Sequence, residues 1–168
     1  MNAPTYRVEP LARHDRATFS SGKAALDDYL RTRAGQDMRR RVAACFVTVD
    51  VATSGIAGYY TLAACQMQLA DIADDLRRKL PRYPTIPAAL LGRLAVDHRW
   101  QGQGIGGILI ADAARRAIRA EITAHMMVVQ AKSDAAANFY RNHGFRPGPQ
   151  KPLQLYAPLA SLTAVPDR

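Results

Sequence analysis

A chain of 168 residues fits one domain, at about 100–200 residues per domain, and is long enough to bury about 70% of its unfolded surface. No basic-then-apolar leader opens it and no apolar run reaches the roughly 18 residues of a bilayer span, so a cytoplasmic protein without a membrane role is expected. The formal net charge of +9, from 23 Lys+Arg against 14 Asp+Glu, favours anionic partners and disfavours polycationic ones.

In chain order, Ser20 or Ser21 is placed to cap a helix starting near Gly22, with Ala25, Leu26, Tyr29 and Leu30 on one face. Asp27, Asp28 and Arg31 fall opposite. Apolar runs at 42–49 and 56–64 predict two strands joined by a turn at 50–55. Residues 71–80 predict a helix ended by Pro81, and Pro84 and Pro87 stiffen the loop after it. A strand over 88–96 is apolar except for Arg93, as expected of a central strand covered on both faces.

A glycine-rich loop at 101–107 then opens a helix, whose Asp112, Arg115, Arg116 and Arg119 form a polar stripe. Gly107, Ile110, Ala114 and Ile118 face the other way. Residues 125–130 predict a buried strand, Ser133 caps a short helix, Gly144 ends it, and 153–156 predict a last strand. Cys45 and Cys65 sit in apolar surroundings as expected buried thiols. His14, His98, His125 and His143 have no metal-ligand spacing, so no metal is expected. This order predicts one α+β or mixed-sheet domain over 1–168.

A strand, glycine loop and helix in succession can hold a phosphate, because glycine lets backbone N–H groups crowd an anion and the helix start adds partial positive charge. A nucleoside-triphosphate loop would end in Gly-Lys-Ser/Thr, but Gly106 is followed by Gly107 and Ile108. Gly102, Gly104 and Gly107 fit a dinucleotide fingerprint, yet the next strand ends at Gln130, Ala131 and Lys132 without the required carboxylate.

The pattern Gln101-x-x-Gly104-x-Gly106, preceded by Leu94, Ala95 and Val96, resembles the pyrophosphate motif of Gcn5-related N-acetyltransferases. Ala136, Phe139, Tyr140, Gly144 and Phe145 resemble that family's last helix and strand. Stretches at 19–30, 36–41, 58–62 and 90–97 resemble its branch of bacterial toxins that acetylate the amino acid on charged tRNA. The resemblance departs from that branch at Ser20 and Ser21, where Asp-Cys or Asp-Ser is usual, and at 124–126.

The resemblance implies acetyl-CoA as co-substrate, an α+β fold with a mixed, mostly antiparallel sheet in which two parallel strands splay at the cofactor site, and a ribbon-helix-helix antitoxin as partner, with a homodimer among the allowed assemblies. It implies that Leu94, Ala95 and Val96 meet the acetyl and pantetheine arm. Gln101, Gly102, Gln103, Gly104, Ile105 and Gly106 would hold the pyrophosphate and Asn138 the pantetheine. Tyr140 would protonate the leaving thiolate.

No Glu or His presents itself locally as a general base. A lysine at a pKa of about 10.4 would need one, whereas an α-amine near 7.7–8 is already partly neutral, and an ester lowers it further. Basic clusters at Arg39, Arg40 and Arg41 and at Arg77, Arg78 and Lys79, with Arg93 beside the site, are the candidate tRNA contacts. Arg31 and Arg33 lie near the first, and Arg115, Arg116 and Arg119 form a third. Arg93 itself suits substrate contact or a structural ion pair. The alternatives are acetylation of a protein α-amine or small-molecule amine, and a non-catalytic basic RNA-binding module.

Overall fold

The structure is a computed structural model that describes residues 5–163. Seven strands form one sheet in the order β1-β2-β3-β4-β5-β7-β6. They are β1 (Tyr6–Pro10), β2 (Ala44–Asp50), β3 (Ile56–Gln68), β4 (Thr85–Val96), β5 (Met126–Gln130), β6 (Arg146–Pro147) and β7 (Gln154–Pro158). The helices among the described residues are α1 (Ala24–Thr32), α2 (Ala34–Arg39), α3 (Asp74–Arg77), α4 (Ile105–Arg119), α5 (Asp134–Asn142) and α6 (Leu159–Thr163).

The pairs β1·β2, β2·β3, β5·β7 and β6·β7 are antiparallel, and β4·β5 is parallel. The expected mixed, mostly antiparallel α+β class is the one observed. No helix among the described residues is long and apolar enough to cross a membrane. The chain divides into two compact units, Met1–Ala63 with Gly92–Asp112, and Ala64–Leu91 with Ala113–Arg168.

In the first unit, alternate residues Cys45, Val47 and Val49 of β2 turn into a core shared with Phe19, Tyr29, Leu30 and Tyr59. The Tyr59 hydroxyl donates to the Leu26 carbonyl at 2.6 Å, which fixes α1 against β3. Strand β2 starts later than the run 42–49 suggests. Arg41 takes a left-handed φ of 59°, and the Val42 N–H bonds the Asp37 carbonyl at 2.9 Å as part of the turn out of α2, leaving Val42 exposed.

Helix α1 also begins later than expected, with Lys23 at the N-cap and no side-chain cap. Ser21 instead donates its hydroxyl and its amide to Asp27 at 2.7 and 2.9 Å. That draws Asp27 back over the helix start and buries it, against its expected place on a polar face.

The core of the second unit gathers Met67, Ile72, Ile86, Ala88, Met126, Val128 and Tyr156. The helix expected over 71–80 is reduced to a 3-10 turn at Leu69–Asp71 and the single turn α3. The Ala73 N–H is taken by the Tyr156 hydroxyl at 2.6 Å, and Asp71 and Asp75 reach out to Lys151 and Arg146, so tertiary bonds replace helical ones. Strand β3 continues past 64 to Gln68.

Ser133 caps α5 by accepting the Ala136 N–H at 3.1 Å, and Gly144, at a φ of 94°, follows its last turn. Cys45 is buried as expected, while Cys65 is only half-buried, and both are free thiols. Ile118, expected on the packed side of α4, is exposed.

Candidate active site

A candidate seat for an anion is built where β4 ends. Asp97 caps a 3-10 turn, His98–Trp100, and is completely buried. Its carboxylate accepts the Arg99 N–H at 2.9 Å, the Arg99 guanidinium at 2.9 and 3.0 Å, and the Ser20 N–H at 3.0 Å. Burial drives this carboxyl upward, but Arg99 and the two amides outweigh it and hold its pKa below the ordinary value. Gln101 then ties the loop down by donating to the Val96 carbonyl at 3.0 Å and the Ser21 carbonyl at 3.1 Å.

Residues 101–104 are exposed, and the loop passes directly into the buried first residues of α4. Gly102 and Gly104 take φ values of 79° and 82°, a region that L residues avoid, and a Cβ at either would meet no protein atom within 4 Å. The backbone there is open on its outer side. The first four N–H groups of a helix lack intrahelical partners and bear partial positive charge, so exposed glycines leading into α4 make a surface that fits a pyrophosphate. Gln103 is held by the Tyr6 hydroxyl, which donates to its Oε1 at 3.1 Å.

Upstream, Leu94 and Val96 are half-buried and Ala95 is buried. Gly92 is exposed and Arg93 half-buried, so the end of β4 is not covered on both faces as expected. Arg93 enters no ion pair among the described residues; its guanidinium stacks 3.6 Å over the Tyr29 ring. The Tyr29 hydroxyl donates to Asp37 at 2.7 Å, so the stack is anchored from beneath. Burial, followed by the bond to Asp37, pushes the Tyr29 pKa well above its ordinary value. Arg39, Arg40 and Arg41 are exposed at the end of α2.

In the second unit, β4 and β5 pair in parallel over Ala88–Leu90 and Met126–Val128, and among the described residues the register goes no further along β5. Helix α5 holds Asn138 and Tyr140 on different sides, the former exposed and the latter buried. The Asn138 carbonyl oxygen accepts from Arg141 at 2.7 Å, which leaves its NH2 group as the available donor. Tyr140 is wedged edge-on between Phe139 and Phe145, with ring centroids 5.2 and 5.5 Å away. Burial in this aromatic setting pushes its hydroxyl up to about 12.

Arg77 pairs with Asp74, while Arg78 and Lys79 are exposed. Among the described residues no cluster of His, Cys, Asp or Glu could hold a metal ion.

Sequence reasoning missed Asp97, Ser20 and Ser21 as organisers of the loop. The available signal was Asp97 directly after an apolar strand and two residues before Arg99. Replacing Asp97 with Ala should lower the unfolding free energy by about 2–4 kcal/mol, because two part-buried amide bonds and a guanidinium bond lose their buried charged acceptor. A carboxyl lowered by folding adds stability above its unfolded pKa and loses it as pH falls through the folded value. In urea titrations the gap between wild type and Asp97→Ala should therefore be full at neutral pH and narrow below about pH 4.

The acetyltransferase (GNAT) domain model matches residues 43–147. A tRNA-acetylating toxin of Mycobacterium tuberculosis (strain ATCC 25618 / H37Rv) is 38% identical over 143 residues, covering 84% of each chain. A solved structure of AtaT complexed with acetyl-methionyl-tRNAfMet superposes with a TM-score of 0.83 at 27% identity, covering 94% of this chain and 97% of that one. A mutant AtaT toxin bound to the C-terminus of the antitoxin AtaR and acetyl-CoA gives a TM-score of 0.75 at 25% identity, covering 94% and 95%. With the family model spanning more than half of its length and a relative this similar, the chain belongs to the GNAT acetyltransferase family.

Proposed function

We propose that this protein is an acetyl-CoA-dependent N-acetyltransferase toxin that acetylates the α-amino group of aminoacyl-tRNA in the cytoplasm and so stops translation. The observation that carries the reading is the open glycine loop at the start of α4, in a chain 38% identical to a tRNA-acetylating toxin. The reading treats 1–168 as one acetyltransferase domain. An antitoxin of the ribbon-helix-helix class is the proposed partner, by analogy with AtaT bound to the C-terminus of AtaR. Its acidic segment would suit a surface with a net charge of +9.

Acetyl-CoA supplies an acetyl group activated as a thioester. Gln101, Gly102, Gln103, Gly104, Ile105 and Gly106 hold the pyrophosphate through backbone N–H groups. The amides of Leu94, Ala95 and Val96 orient the acyl arm, and the Asn138 NH2 group bonds the pantetheine.

Tyr140 acts on the departing sulfur. With its pKa at about 12 it remains protonated across the physiological range, so it is a donor and never a base. Complete proton transfer to a thiolate of pKa about 8.5 would be uphill by about 3.5 units, or roughly 5 kcal/mol. The hydroxyl therefore works by hydrogen-bonding the developing thiolate, with solvent supplying the final proton. The attacking α-amine is already partly neutral near pH 7 and needs no strong base.

Purified protein should be incubated with isotope-labelled acetyl-CoA and a charged tRNA pool, followed by nuclease digestion and mass spectrometry. The expected product is N-acetyl-aminoacyl adenosine. Label found only on peptides or small amines would transfer the activity to those substrates, and absence of any labelled product would leave an RNA-binding module.

A further inference from the structure

The segment 69–84 carries Asp71, Asp74 and Asp75 together with Arg77, Arg78, Lys79 and Arg82. Each carboxylate is occupied. Asp71 takes Lys151 at 2.9 Å, Asp75 takes both guanidinium nitrogens of Arg146 at 2.8 and 2.9 Å, and Asp74 takes Arg77. Arg146 holds the Asp75 carboxyl below its ordinary pKa. Arg78, Lys79 and Arg82 have no ion-pair partner among the described residues, so this segment presents three uncompensated cations.

Leu69, Arg77, Arg78, Leu80 and Arg82 line one groove, which combines an apolar lining with guanidinium groups. Directly after Arg82 comes Tyr83, a large aromatic residue with 65% of its surface in solvent. Pro81 and Pro84 bracket this pair and fix φ on both sides. The Pro84 carbonyl accepts the Leu69 N–H at 2.9 Å, which closes the segment at the groove. An exposed tyrosine on a short stiff loop loses little conformational freedom when something stacks on it.

We infer that this groove with Tyr83 is a subsite for single-stranded RNA, in which Tyr83 stacks on a base while Arg78 and Arg82 take the flanking phosphates. Stacking platforms beside positive grooves recognise single strands because every base offers a π-face and every linkage a charge. A duplex hides its bases and would leave Tyr83 without a role. The inference rests on the aminoacyl-tRNA reading above, which identifies the strand as the single-stranded 3′ end that bears the aminoacyl group.

The test is fluorescence-anisotropy binding of an uncharged tRNA and of the same tRNA trimmed of its single-stranded 3′ nucleotides. Tyr83→Ala should weaken binding of intact tRNA by about tenfold, and Tyr83→Phe, which keeps the ring, should restore it. The trimmed tRNA should bind more weakly to wild type and equally to all three proteins. The double variant Arg78→Ala and Arg82→Ala should reduce the slope of log affinity against log salt by about 1.4.

Intact-tRNA binding unaffected by Tyr83→Ala would overturn the subsite while the acetyltransferase reading stood. A Tyr83→Ala loss that persists on trimmed tRNA would overturn its assignment to the 3′ end. Sensitivity to Tyr83 only with an acidic peptide as probe would make the groove a protein contact instead. Failure of wild type to bind either tRNA would overturn both the subsite and the reading beneath it.

Discussion

Tyr140→Phe should lower the acetylation rate by roughly 10²–10³, the range for removing one hydrogen-bond donor to a developing anion, while acetyl-CoA affinity stays within a few-fold. The substitution deletes one oxygen and keeps the ring between Phe139 and Phe145, so the aromatic packing at 5.2 and 5.5 Å survives. The pH profile separates a chemical role from a structural one. With the Tyr140 hydroxyl at about 12, its own ionisation should produce no alkaline decline below about pH 10 in the wild type. The acidic limb belongs to protonation of the substrate amine and should persist in the variant at the same position. Stopped-quench rates against pH, with calorimetry for the coenzyme, read all three quantities. A variant that turns over like wild type would return Tyr140 to a packing role.

Gly104→Glu should reduce acetyl-CoA affinity by about a thousandfold or more, and two effects of different size contribute. A side chain in the left-handed region costs about 1–2 kcal/mol, equivalent to roughly five- to thirtyfold in affinity if the loop relaxes to avoid it. A carboxylate about 4 Å from a pyrophosphate adds about 4 kcal/mol of repulsion at an effective dielectric near 20. Charge therefore dominates, and Gly104→Ala, which retains only the conformational effect, should lose about tenfold. No protein atom lies within 4 Å of a Cβ at this position, so neither variant meets a clash and backbone strain of about 1–2 kcal/mol is the upper limit on the loss of stability, the same in both. Equal losses in the two variants, measured by calorimetry, would show that loop geometry alone governs binding. No loss in either would move the coenzyme away from this loop.

The glycine loop was legible because its determinants are local. Left-handed φ at Gly102 and Gly104, the Ser133 cap and the φ of 94° at Gly144 are decided within a few residues, and the sequence displays them directly. Strand β1 was not legible. Its five residues, Tyr6–Pro10, include Arg7 and Glu9 and end in proline, and only its antiparallel register with β2 makes it a strand. Helix propensity over 71–80 was overridden by partners far along the chain, Tyr156, Lys151 and Arg146. Arg93 announced itself as a charge in an apolar strand, but its partner proved to be the face of Tyr29, which no pattern of charges could point to. Asp97 was hidden for the opposite reason: an acidic residue after a strand looks like an ordinary turn, and only burial reveals the four groups it binds.

The family match begins at residue 43, yet hydrogen bonds that steady the anion seat come from before it, from Ser20 and Ser21 as well as from Tyr6. The Ser20 N–H reaches Asp97 at 3.0 Å, the Ser20 carbonyl accepts the His98 N–H at 2.9 Å, and the Ser21 carbonyl accepts from Gln101 at 3.1 Å. These contacts close loops of 77, 78 and 80 residues, so they exist only when the N-terminal segment is docked. The segment most typical of the family is thus not a self-sufficient module in this chain. A fragment starting at the match boundary would have its glycines and its helix but would lack the braces that keep the loop in one conformation. Amide hydrogens across 101–104 would then exchange with solvent freely, and coenzyme would have to order the loop each time it bound.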